Sequence, residues 1–168
     1  MTSKASVAPA VLAHFRTLRD DRTGGLRVFD FVLFLGMPTV TALVVWAVDF
    51  RMGDIASLLA ALAVFTALLF GLVIFVFQLR VQLRSEGHDQ DRPKLALLID
   101  ETFANVTYSV IVGLLTTCVG VVAAALATKD QGAPVVLSAV LSGLLLHLIL
   151  TILMCLKRIH AAYQQLRV

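Results

Sequence analysis

Four stretches of this 168-residue chain contain no Asp, Glu, Lys or Arg: residues 31–48, 55–79, 102–128 and 131–156. They run to 18, 25, 27 and 26 residues. A helix rises about 1.5 Å per residue, so about 20 apolar residues cross a hydrocarbon core of about 30 Å. A buried helix of a soluble domain can be this apolar for about 10–14 residues, but four long runs in succession leave no polar surface for water. The composition agrees, with 59% hydrophobic and 15% charged residues and a mean hydropathy of +0.90. Closed β-barrels also satisfy the backbone in lipid, but their strands alternate apolar and polar residues, and these runs do not. The expectation is an all-α membrane protein with four transmembrane helices, spanning about 29–48, 55–79, 102–128 and 133–156.

The charges between the runs orient them. Lys4, Arg16, Arg19, Arg22 and Arg27 precede the first run, Arg80, Arg84, Arg92 and Lys94 separate the second from the third, and Lys157, Arg158 and Arg167 follow the fourth. Arg51 and Lys129 are the only basic residues in the other two connections. Basic residues concentrate on the cytoplasmic side, so both termini and the loop 80–101 are expected there, in a cytoplasmic (inner) bacterial membrane. The first 28 residues are polar and basic and lack an apolar core beside a small-residue cleavage site, so the first span is expected to stay as an anchor. Nothing in this charge pattern calls for a nucleic-acid partner.

Connections 49–54 and 128–133 are about six residues each, which argues for two antiparallel helical hairpins. Asp54 reads as the N-cap of the second helix and Pro134 as a first-turn residue of the fourth. Between the hairpins, Val81, Leu83, Leu95, Leu98 and Ile99 suggest either that helices two and three project beyond the lipid as a stalk, turning at 85–91, with Asp91 as a cap before Pro93, or that this segment lies on the lipid headgroups. Val7, Val11, Phe15 and Leu18 recur at helical spacing, marking residues 1–28 as a cytoplasmic amphipathic segment that rests on lipid or on the bundle. The transmembrane domain is then 29–168, with a cytoplasmic tail at 157–168.

Catalysis needs positioned acids, bases, nucleophiles or metal ligands, and the spans hold almost none, so the chain is read as a non-enzyme without metal or cofactor. Cys118 and Cys155 lie at depths too different for a disulfide and read as small buried residues. His147 is the one strongly polar ionisable group near mid-membrane. Three readings apply to it: a neutral histidine hydrogen-bonded to a neighbouring helix, a pore-lining or gating residue, or, last, a haem ligand, for which no second histidine lies at its depth within the chain.

His147 sits in a small and polar stripe with Ala139, Gly143 and Thr151, flanked by Ser138 and Ser142. The third helix carries Ser109, Gly113, Thr116, Thr117, Gly120 and Ala124, and the second Ala56, Ala60, Ala63, Ala67 and Gly71. Such stripes let helices approach closely in lipid, and hydroxyl-rich ones can line water. Gly36 and Pro38 predict a kink in the first span. Asp100, Glu101, Asn105, Thr107 and Tyr108 group at the inner mouth of the third helix, either as anchors and partners for Arg80 or Arg84, or as an acidic ring at a pore entrance.

One bundle of this size has no room for a wide lumen, so conduction needs several chains. The leading expectation is a homo-oligomer that forms or gates a pore or perturbs the membrane barrier, with membrane lipid as its first partner. Its rival is a non-conducting anchor or sensor subunit docking a cytoplasmic protein. Membrane components of bacterial anti-phage modules share that general shape, without a motif to carry residues across. A small transporter comes third, because no mid-membrane carboxylate is present for ion coupling.

Overall fold

The computed structural model describes residues 32–85, 93–128 and 130–166, and they are helical apart from the short connections. Helix α1, Val32–Ala47, opens as a π-helical turn, Val32–Gly36, and continues as an α-helix, Met37–Ala47. It is followed by α2 (Ile55–Ser85), α3 (Pro93–Leu126) and α4 (Val135–Leu166). Long Leu-, Val- and Ala-rich runs satisfy every interior backbone group within the helix itself, which lipid demands. Helices α2, α3 and α4 are each long and apolar enough to cross a membrane, whereas α1 is shorter as described. The amphipathic segment expected at 7–18, the start of the first span at 29–31, the turn at 86–92 with its Asp91 cap, and Lys129 all lie outside the described residues.

Helix α2 packs on α3, α3 on α4, and α4 on α1, but α1 and α2 do not pack on each other. The short connection 49–54 therefore does not make α1 and α2 neighbours, contrary to the reading from its length. Six extended residues reach up to about 20 Å, roughly twice the separation of packed helices, so the connection can join two helices that do not touch. It does so across the start of α4. The Ala133 N–H donates to the Met52 carbonyl at 2.9 Å, the Met52 N–H donates to Ser138 Oγ at 3.0 Å, and Arg51 donates to Gln131 at 3.2 Å. Asp49, at φ 55, ends α1 in the left-handed region, and the N–H groups of Asp49 and Phe50 close back on the carbonyls of Trp46 and Val45. That is a Schellman end with aspartate where glycine is usual. Asp54 caps α2 by accepting the Ser57 N–H at 3.1 Å.

The core lies where α2, α3 and α4 meet. Leu62 and Leu69 of α2, Tyr108, Val110 and Val112 of α3 and Leu148 of α4 form its centre, and Ile55, Ala123, Ala133 and Leu141 form a second cluster under the connections 49–54 and 128–133. The inward face of α2 is Ile55, Leu62, Thr66, Leu69 and Val76. Its small-residue stripe of Ala56, Ala60, Ala63, Ala67 and Gly71 is instead exposed, about a third of a turn away. The reason is complementarity. Glycines on α3 already supply the close approach, so α2 inserts larger side chains: Leu59 lies where a Gly120 Cβ would stand, at 2.8 Å, and Thr66 Oγ1 lies 3.0 Å from the same point on Gly113. On α3 the buried small residue near the 128–133 connection is Ala123, while Ala124 is exposed. Cys155 is buried as expected, but Cys118 is exposed on the outer face of α3.

Helices α2, α3 and α4 contain 31, 34 and 32 residues, which correspond to about 46, 51 and 48 Å against a core of about 30 Å. At the end away from the short connections, Ala96 and Ile99 are buried, and Arg80 pairs with Asp100 at 2.7 Å.

Candidate functional site

Pro38 determines the site's geometry. A proline inside a helix has no N–H to offer the carbonyl four residues back, which here belongs to Phe34. The His147 ring reaches across from α4 and places Nδ1 2.9 Å from that Phe34 carbonyl. On its other side, Nε2 lies 2.9 Å from the Tyr108 hydroxyl of α3. A carbonyl only accepts, so Nδ1 carries the hydrogen; in the neutral ring Nε2 then accepts, and the Tyr108 O–H donates. One imidazole thus joins α1, α3 and α4. The Tyr108 and His147 rings meet edge to face, with centroids 5.8 Å apart and planes at 88°.

The surroundings hold the ring in place. One turn toward the start of α4, Gly143 faces α1 so closely that a Cβ there would stand 3.0 Å from the Pro38 carbonyl and 3.2 Å from Ala42 Cβ. One turn the other way, the fully buried Thr151 hydroxyl donates to the His147 carbonyl at 2.8 Å. Pro38 is buried, and the kink expected at Gly36 and Pro38 takes the form of the π-helical turn that ends at Gly36. Among the described residues, no three His, Cys, Asp or Glu side chains come together to hold a metal ion.

The other polar residues of the stripes lie elsewhere, and most spend their hydroxyls on their own helix. Ser142 donates to the Ser138 carbonyl at 2.8 Å, Thr116 to Val112 at 2.7 Å, Thr117 to Gly113 at 2.9 Å and Ser109 to Asn105 at 3.0 Å. Ser138, Thr116 and Ser109 are fully buried between helices of the chain, and Ser142 and Thr117 are half-buried. Ser138 sits nine positions from His147, about 13 Å along α4, and takes part in the loop contact with Met52. Gly113, Gly120 and Gly143 sit at helix seams, whereas a side chain at Gly71 would meet open space.

At the other end of α3, Asp100 is exposed and paired with Arg80, Glu101 is half-buried, Asn105 is fully buried and Arg84 is exposed. Tyr108 does not belong to that group, since it turns inward to His147. The Phe34 carbonyl was equally hidden from a reading of side chains alone. Its signal was Pro38, counted back four residues. The sequence matches no protein-family model, no curated protein and no solved structure.

Proposed function

We propose that this protein is a non-conducting anchor or sensor subunit that crosses a bacterial inner membrane four times and presents a helical stalk to a cytoplasmic protein partner. The observation that supports it is where the polar side chains are spent. Of the residues suited to line a water path, His147, Thr151, Ser138 and Thr116 are engaged within the seams of one chain, and the half-buried Ser142 and Thr117 give their hydroxyls to carbonyls of their own helices. The surface left for other chains or lipid is apolar, with Val64, Phe65, Leu68, Phe70, Ile74, Phe75 and Phe77 exposed along α2. A path assembled between copies would be walled by these residues and would resist wetting. Charge and hydrogen-bonding capacity collect instead beyond the spans, at the inner ends of α2 and α3, where Arg84, Val81 and Leu97 are all exposed. In this reading the chain does no chemistry of its own, and its work is to position and inform whatever binds the stalk.

The test compares flux with docking. Protein reconstituted in liposomes should carry no measurable ion flux, and Cys placed at Ser142 or Thr116, in a Cys118→Ser, Cys155→Ala background, should resist a water-soluble thiol reagent. A photo-crosslinking residue at Arg84 or Leu97 in the native host should trap a discrete heavier species. Robust flux together with labelling at both positions would return the oligomeric pore to first place.

A further inference from the structure

The His147 junction joins two parts of the molecule that are held very differently. The outer end of α1 is fastened by its Schellman turn, by the Met52 contacts to Ala133 and Ser138, and by the pair Arg51 and Gln131. Midway, α1 rests on the Gly143 notch. Toward the inner end, its polar tie to the bundle among the described residues is the His147 bond to Phe34. Among those residues α1 packs on α4 alone.

We infer that His147 is a proton-operated latch that closes the inner end of α1 onto α3 and α4. In the closed state the neutral ring donates from Nδ1 to Phe34 and accepts at Nε2 from Tyr108. A proton arriving from water binds the Nε2 lone pair, the one site on the ring able to take it. Two donors, N–H and O–H, then face each other across 2.9 Å, so the Tyr108 hydroxyl must turn away. Among the described residues nothing nearby neutralises the new charge; Asp30, four positions before Phe34 in the sequence, lies outside them. Neither α1 nor the Ile55–Leu79 stretch of α2 carries a titratable side chain, α3 offers Tyr108 at this level, and α4 between Val135 and Leu156 adds only Cys155. The nearest acids on α3, Asp100 and Glu101, lie seven or eight residues away, about 10–12 Å along the helix, and Asp100 is paired with Arg80. A charge inside hydrocarbon is stabilised by water, and water reaches His147 when the inner end of α1 swings off α4. The pivot is the π-helical turn and Pro38, where the helical ladder is already interrupted. The latch stands independently of whether the stalk docks a partner. If it does, the latch gives that assembly a response to protons.

Pulsed EPR on reconstituted Cys118→Ser, Cys155→Ala protein tests this directly. Spin labels at Val32→Cys and Ile149→Cys, both exposed positions, report the inner end of α1 and α4 at the level of His147; labels at Val44→Cys and Val136→Cys report the outer ends. As the pH is lowered from about 8 to about 5, the inner distance should lengthen by at least about 5 Å, one helical turn, while the outer distance stays fixed. His147→Gln, which keeps a donor and an acceptor but cannot be protonated, should hold the closed distance at both pH values. His147→Leu should give the open distance at both. An inner distance in the wild-type ring that ignores pH, or a pH response that survives in His147→Gln, would overturn the latch.

Discussion

Backbone chemistry at single positions explains more of this molecule than side-chain polarity does. Gly132, at φ +69, closes the connection between α3 and α4, and a Cβ there would stand 2.6 Å from the Met52 carbonyl. An L side chain pays for the left-handed region and must also push back the loop that anchors α1, so Gly132→Ala should cost at least about 2 kcal/mol. A thermal unfolding scan in detergent would show it as a clear drop in Tm. Asp54 offers a subtler case. The hydrogen bonds it accepts from the Ser57 hydroxyl and N–H hold its carboxyl below the usual carboxylate range. The folded value therefore lies under the unfolded one of about 3.9, so the stabilisation is complete above that pH and is lost as pH falls through the folded value. Asparagine caps without ionising. The stability difference between wild type and Asp54→Asn should be constant above about pH 5 and change only below about pH 4, as wild type loses its charged cap. That cap was legible in the sequence because a cap needs only local spacing. The partners of His147 were not, because one is a backbone atom exposed by a proline 109 positions earlier and the other a tyrosine whose position suggested an interfacial role.

At the scale of helices, periodicity identified which residues were small but not which face met a neighbour. The stripes on α3, apart from Ala124, and on α4 lie in seams, while the equally regular stripe on α2 faces outward, because close packing needs a notch on one side and a knob on the other. Leu59 against Gly120 and Thr66 against Gly113 are such pairs. Sequence spacing cannot choose between notch and knob until the partner is known. The distinction is measurable by making the same substitution in two places. Gly71→Leu adds a side chain into open space and should leave thermal stability within about 0.5 kcal/mol. Gly143→Leu drives a side chain into the Pro38 carbonyl and Ala42, and should cost about 1–3 kcal/mol or more by overpacking. Equal tolerance of both in a detergent melt would mean that α1 does not rest on α4 through this notch.

For the whole molecule, three of the four apolar runs were legible as helices of membrane-spanning length because lipid imposes one requirement on every spanning helix, whereas the first gives a shorter helix as described and the order of helices around the bundle depended on how far a six-residue connection can reach. The side of the membrane on which each end lies follows from charge. Twelve Lys and Arg residues fall in the N-terminal segment, the 80–101 region and the C-terminal tail, against Arg51 and Lys129 in the other connections. Moving any basic cluster across a membrane against the potential is unfavourable, so the ends of α2, α3 and α4 that extend past the hydrocarbon should all lie in the cytoplasm. The two connections at the opposite end are cross-linked by the Met52, Ala133 and Ser138 bonds, which requires them to share one side. Reporter fusions after Leu83 and Val168 should therefore both report cytoplasm, and a fusion at Met52 the exterior. Reversing the balance, by replacing Arg80 and Arg84 with Gln and adding lysines at Gly53 and Asp130, should weaken or invert the signal at Leu83 before it disturbs the one at Val168, since the altered charges flank α2 and α3 directly. An exterior report at Val168 in the unaltered chain, or opposite reports at Met52 and at Asp130, would break the four-span arrangement and with it the cytoplasmic stalk on which the docking proposal depends.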